Sequence, residues 1–318
     1  MSGSATQRTA LFARQQPGGF WNTADIKDQP NNIWFVGNAE TYSANAVGNG
    51  RNPDRPFATL DYAVSHPLVD AGDLFYILPM HTENLALDST VDVDVANLKI
   101  VGLGWGGNRP TFTCTAVAGD FKLAGSCGWL ENILFINAVD NSTGLLEVSA
   151  ADWTIVNCEF RETLAVYADV MLLTTAAADR LHIYDCKFYG NVADGAVSLI
   201  EIVGGSHIHI HDCYFYGNCD TGVIQVITTP TVGLRVHDCT IWQLDDTAGA
   251  AGVQMILDTI TTSTGIMGPN LRLVGIVNAA NITEAVTGAT FNLIDPVYVV
   301  NAVAEKAMII DWLASTDA

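Results

Sequence analysis

The stretch HIHIHDCYFYGN, residues 207–218, sets His207, His209 and His211 at alternate positions and follows them with Asp212 and Cys213. Side chains two residues apart on an extended strand point to the same side. A strand here would therefore carry a row of imidazoles able to ligate a metal, move protons or form flat hydrogen-bonding rings. Which of these is open to them depends on the element that holds them.

That element recurs. The pattern of alternating apolar residues, a small polar residue, Cys, and an aromatic or apolar residue returns as WTIVNCEF (153–160), LHIYDCKF (181–188), IHIHDCYF (208–215) and LRVHDCTI (234–241). Cys158, Cys186, Cys213 and Cys239 follow one another at intervals of 28, 27 and 26 residues. Weaker copies read as LKIVGLGW (98–105), GWLENILF (128–135) and, beyond an insertion near 243–252, LRLVGIVN (271–278).

Apolar residues alternate on both sides of the polar residue, but the step across it is three, as from Ile210 to Cys213. A continuous strand with that step would turn its apolar side outward. A bend restores it, and the bend position reads Gly102, Asn132, Asn157, Asp185, Asp212, Asp238 and Gly275. Gly, Asn and Asp are the residues that best accept a left-handed backbone. Each copy is thus strand, bend, strand. Further strands recur between copies: GLLEV (144–148), VMLLT (170–174), AVSLIEI (196–202), GVIQVI (222–227) and GVQMIL (252–257).

A repeat of this length with three β segments predicts a parallel β-helix, an all-β solenoid of eight to ten coils, on the order of 40–50 Å long. Propeller repeats are longer, and the frame of leucine-rich repeats is missing. The expected organisation is an extended arm over 1–32, an entry strand and capping helix over 33–67, the β-helix over 68–300 and a terminal cap over 301–318. PFATLDYAVSHP (56–67) reads as the helix, with Phe57, Leu60 and Val64 on one face. Met308, Ile309, Ile310, Trp312 and Leu313 could cover the far edge, which a β-helix must protect. The arm has no period; Phe12, Phe20 and Trp21 are its anchors, expected to lie on the rod, a sister subunit or a neighbour in an assembly.

With the aliphatic residues inward, one outward column reads Lys99, Trp129, Thr154, His182, His209, Arg235 and Arg272. The next reads Val101, Glu131, Val156, Tyr184, His211, His237 and Val274. Past the bend come Lys187 and Tyr214, then Arg161, Tyr189, Tyr216 and Trp242. One face rich in His, Tyr, Arg and Trp is the result, and three readings of it stay open. It could be a subunit interface, where Tyr, Trp and Arg dominate, or a groove for glycan. It could also hold metal, since His211 and His237 on adjacent coils could reach one ion. Metal centres combine three or four placed ligands, and no cysteine points outward, so the sequence assigns no metal and no cofactor. The cysteine column points inward and is expected as a reduced ladder of small hydrophobes, because stacked parallel side chains suit the disulfide dihedral poorly.

The chain of 318 residues has a net charge of −20, only 14 Lys and Arg, 49% hydrophobic and 15% charged residues. So few cations argue against nucleic acid or an anionic membrane as partner. No apolar run reaches the ~20 residues of a membrane helix, and the first residues lack the apolar core of a secretory signal. Carboxylates that could act as an acid–base pair are few: Glu131 and Glu159 fall on different columns and coils, Asp245–Asp246 lies in the insertion, and His81 reads as structural. No catalytic residue is assigned, and an enzyme is not the expected reading; if there is one, it is a polysaccharide lyase or glycoside hydrolase.

The bend followed by Cys–x–Phe resembles the coils of pectate-lyase-like right-handed parallel β-helix proteins. WFVGNAETYSANAVGNGRNPDRPFATLDYAV (34–64), LFYILPMHTENL (74–85) and VANLKIVGLGWGGNRPTFT (95–113) resemble the entry region of β-helix virion proteins of tailed bacteriophages, over roughly residues 33–290. Bacterial surface proteins and polysaccharide-active enzymes share such an entry. The resemblance implies a virion structural protein made in the host cytoplasm, first of all a capsid decoration or cement protein. It would be a homo-oligomer, a trimer by preference, with the major capsid protein or other virion proteins as partners. The alternative it implies is a tail spike or fibre that binds or depolymerises host surface polysaccharide.

Overall fold

The structure is a computed structural model. It describes residues 15–16, 20–21, 31–140, 142–163, 166–191, 195–244, 254–260, 262–275, 286–287, 291–294, 297–301 and 306–309. The chain winds as a right-handed parallel β-helix of three sheets, with ten, ten and eight strands. One coil shows the order: His182–Tyr184 in the first sheet, Lys187–Tyr189 in the second, Ser198–Ile202 in the third. The next coil repeats it with His209–His211, Tyr214–Gly217 and Gly222–Val226, each parallel to and in register with its predecessor.

Register is what builds the core. Parallel strands stack like residues directly over like residues, about 4.8 Å apart. On the second sheet this gives a column of buried rings, Phe112, Phe135, Phe160, Phe188 and Phe215. Their centroids are 6.0, 5.0, 4.6 and 4.8 Å apart up the column. The first sheet contributes Ile100, Leu130, Ile155, Ile183, Ile210 and Val236, and the third Phe121, Leu146, Leu172, Ile200, Ile224 and Ile256, all fully buried.

Corners between the first two sheets consist of single left-handed residues. Asn132, Asn157, Asp185, Asp212 and Asp238 have φ between 51° and 60°. The outermost two glycine assignments need correcting. Gly102 ends the strand Lys99–Gly102, and a Cβ there would lie 2.3 Å from the Asn132 carbonyl oxygen, so this glycine serves close packing between coils. The left-handed glycines of that coil are Gly104, with φ 96°, and Gly106, with φ 57°.

The LRLVG copy is likewise displaced. Leu271–Gly275 pairs with Thr240–Gln243 in the second sheet, and its corner is Asn270, φ 56°. The first-sheet strand of that coil is Thr264–Met267, in which Ile266 takes the place above Arg235. Arg272 therefore stands above Thr240 and Val274 above Trp242, not on the histidine columns. Alternation alone cannot tell which of two apolar-alternating strands precedes the corner.

A second left-handed ladder, at the entrance to the first sheet, was not legible in sequence. It runs Asn97, Cys127, Asp152, Arg180, His207 and Gly233, φ 54° to 76°. Asn97, Asp152 and Gly233 suit such a corner but Cys127 and Arg180 do not, so no consistent residue type marks it; the amide of each of the first five donates to a carbonyl of the next coil. His207, the first imidazole of the row, is thus a corner residue.

The capping helix is shorter than expected, Leu60–Val64, with Leu60, Ala63 and Val64 buried. Thr59 caps it by accepting from the Tyr62 amide, and the Glu83 carboxylate accepts from the Leu60 amide at 2.8 Å. Glu83 also meets Nε2 of the buried His81 at 3.1 Å, which gives that histidine a structural place. Phe57 is buried but belongs to the entry strand, since its amide donates to Phe35 and its carbonyl accepts from Gly37. At the other end Lys306–Ile309 folds back antiparallel on Val297–Asn301 and occupies the edge of the second sheet.

Ile310, Trp312, Leu313, Phe12 and the Asp245–Asp246 insertion lie outside the described residues; Phe20–Trp21 pairs with Gln15–Gln16. No helix among the described residues is long and apolar enough to cross a membrane.

Candidate functional site: two ring-bearing walls

The residues read as one face divide into two walls. His182, Tyr184, His209, His211, Arg235 and His237 lie on the first sheet. Tyr189, Tyr214, Tyr216 and Trp242 lie on the second. The left-handed corner between them turns the chain, so their outward sides diverge along a ridge formed by Asp185, Asp212 and Asp238. Ring contacts follow this division: Tyr189 meets Tyr214 at 5.9 Å, while the imidazoles meet one another and Tyr184. The single face of the sequence reading is corrected to two adjoining ones.

On the first wall the register places His182 below His209 and Tyr184 below His211 below His237. All five rings are half-buried. His182 and His209 stack at 4.8 Å, as do Tyr184 and His211 at 5.2 Å and His211 and His237 at 5.1 Å, each pair nearly parallel. The columns also meet diagonally. Nε2 of His182 lies 2.6 Å from Nε2 of His211, and Nε2 of His209 lies 2.6 Å from Nε2 of His237.

The corner aspartates set the state of two of these rings. Nδ1–H of His211 donates to Asp212 at 2.7 Å, and Nδ1–H of His237 donates to Asp238 at 2.6 Å. A carboxylate only accepts, so a neutral ring held this way carries its lone pair on Nε2. Burial, then the neighbouring His211, lowers the His182 pKa. Burial followed by His211, His237 and His182 brings His209 down to about 4. The aspartates thus do more than accept a bend. A His immediately before a corner Asp, as in HD at 211–212 and 237–238, was the available signal.

The second wall carries cations beside its rings. Arg161 lies over Tyr189 at 5.9 Å and Arg272 over Trp242 at 5.7 Å. Burial raises the Tyr214 pKa. The carboxylates beside both walls are engaged: Glu131, on the first sheet, accepts from the Trp129 indole at 2.9 Å, and the buried Glu159, on the second, bonds Arg109 at 3.0 Å and Arg161.

Beneath the ridge, Cys158, Cys186, Cys213 and Cys239 are buried and free. The Cys213 and Cys239 thiols each lie 3.1 Å from the carbonyl of the histidine two residues earlier. Burial pushes the Cys186 and Cys239 thiols up.

No family model matches the chain, and no curated protein matches it. Among solved structures, a rhamnogalacturonan lyase is similar, with a TM-score of 0.48 and 12% identity over 88% of this chain and 90% of that chain. A likeness of that size does not bear on activity.

Proposed function

We propose that the protein is a structural component of a tailed-phage virion, a decoration or cement protein that binds the assembled head as a homo-oligomer, a trimer by preference. The observation that carries this reading is the pair of in-register outward walls, half-buried rings standing coil upon coil where a solenoid would ordinarily present water-facing polar groups. Tyr, Trp and Arg concentrated on one surface suit a protein interface. The entry-region resemblance and the net charge of −20 support a protein partner over nucleic acid. The partners are further copies of this chain and the major capsid protein, and the place is the capsid surface.

The test is location and stoichiometry. Purified heads should carry the protein in a copy number matched to capsid symmetry, and the isolated chain should sediment as an oligomer. A monomeric chain absent from heads would overturn the proposal.

The second wall supports one further reading. Tyr189, Tyr216 and Trp242 form a column of rings with Arg161 and Arg272 alongside, a surface on which sugar rings could stack. A tail spike or fibre would then bind host polysaccharide, and incubation with that polysaccharide would show retention, or release of reducing ends or unsaturated sugar.

A further inference from the structure

The imidazoles of the first wall do something that neither assembly nor stacking requires: their ring nitrogens approach one another across coils, Nε2 of His182 and Nε2 of His211 to 2.6 Å. We propose that Nε2 of His182, His209 and His211 bind a divalent first-row transition-metal ion, of which Zn²⁺ is the type, with Asp212 as the carboxylate that orients His211.

Three observations meet at this point. The donor atoms of His182, His209 and His211 all lie within 4.8 Å of one another. Nitrogens around a tetrahedral Zn²⁺, each at ~2.0–2.1 Å, stand about 3.3 Å apart, so small rotations of three half-buried rings would suffice. His211 commits its Nδ1 hydrogen to Asp212 at 2.7 Å, which leaves Nε2 as a lone pair directed at His182. A carboxylate behind a ligating histidine is the usual outer partner of such sites, fixing tautomer and orientation together. Finally, the ligands come from two adjacent strands of a rigid, fully paired sheet, the kind of support that holds donors in place.

The donor chemistry selects the ion class. Three imidazoles with no thiolate and no coordinating carboxylate suit Zn²⁺, Cu²⁺ or Ni²⁺ and do not suit Ca²⁺ or Mg²⁺, which take oxygen ligands. Three protein donors leave one coordination position open. The proposal stands apart from the assembly reading, because binding is measured on the chain in solution whatever its oligomeric state.

The experiment uses the full chain without a histidine tag, stripped with a chelator, then titrated with Zn²⁺ by calorimetry and with Co²⁺ by visible absorption. One ion per chain is expected, with the absorption of four-coordinate Co²⁺. His182→Gln and His211→Gln should each weaken Zn²⁺ binding by about 100-fold or more. Asp212→Asn should weaken it by about 10–100-fold; Asn already fills this corner at positions 132 and 157, so the fold is kept and the loss reads the carboxylate alone. His207→Asn, at the other corner, should bind as the parent does. Absence of saturable binding at one equivalent overturns the proposal, as does full affinity in a His182→Gln, His211→Gln double variant with an unchanged melting transition.

Discussion

Asp212 occupies a left-handed corner with φ 52° and accepts the Nδ1 hydrogen of the residue before it, His211, at 2.7 Å. One side chain thus both turns the chain and fixes a ring on the wall it leaves. Asp238 and His237 repeat the arrangement one coil on, at 2.6 Å.

The corner role predicts a clear order among substitutions. A left-handed backbone costs an ordinary L-residue about 1–2 kcal/mol, and more for a β-branched one. Asp185→Val should therefore lower stability by about 2 kcal/mol, while Asp185→Asn or Asp185→Gly should stay within about 0.5 kcal/mol of the parent. Chemical denaturation followed by circular dichroism measures both, and equal effects would place the constraint elsewhere.

The phenylalanine column predicts a large core effect. Phe188 lies between Phe160 at 4.6 Å and Phe215 at 4.8 Å and is fully buried. Phe188→Ala removes both contacts and leaves a cavity between rigid sheets, so a loss of about 3–5 kcal/mol is expected. The shift of the denaturation midpoint is the readout, with Phe188→Leu as the milder comparison.

Because the walls diverge, they can be tested apart. His209→Glu with His211→Glu alters the first wall, and Tyr189→Glu with Tyr216→Glu and Trp242→Glu alters the second. If the second wall is the subunit contact, only the latter set should convert the oligomer to monomer in sedimentation experiments, with the melting transition retained. Neither set doing so would remove both walls as the contact.

Stability should fall as pH rises from about 4.5 to 7 through two carboxyls, the buried Asp120 and the half-buried Glu162. Burial raises Glu162 to about 7, against the pull of the Ala168 and Asn191 amides, and raises Asp120 to about 6. The folded chain holds these protons more tightly than the unfolded one, so their stabilisation is full below about pH 4.5 and lost as pH rises through 6–7. Glu162→Gln should flatten the slope of stability against pH between 5 and 8. An unchanged slope would show that Glu162 does not titrate in this window.

Thiol chemistry should separate one cysteine from the rest. Cys127 is exposed at a corner, while Cys114, Cys158, Cys186, Cys213, Cys219 and Cys239 are buried and free. An aromatic disulfide reagent should modify one thiol rapidly in the native chain and all seven after unfolding. Cys127→Ser should abolish the fast phase.

The solenoid and most of its inner and outer parity are legible in the order of residues. A period of 26 to 28 residues, a step of three across Asn or Asp, and aliphatic alternation on either side admit one winding, because every other phase would turn the apolar residues to water. Where the signal rested on chemical preference, as at Asn132, Asn157, Asp185, Asp212 and Asp238, the residue type announced the backbone. At Gly102 the strand is the expected one and only the corner lies further on, whereas at Leu271–Gly275 a second-sheet strand with the same alternation stands where a first-sheet strand was expected. The ladder through Cys127, Arg180 and His207 had no consistent chemical signature, since hydrogen bonds from these backbone amides to carbonyls of the next coil accompany the left-handed turn whatever the residue type.

What stands beside what across coils emerges in three dimensions. Parity says that His182, His209 and His211 face outward; it does not say that a diagonal between coils brings two of their nitrogens to 2.6 Å. Nor does it say that a single corner residue splits one list of rings into two walls. Those relations depend on the lateral register of adjacent strands and the turn at the corner, which the alternation of a single strand does not encode.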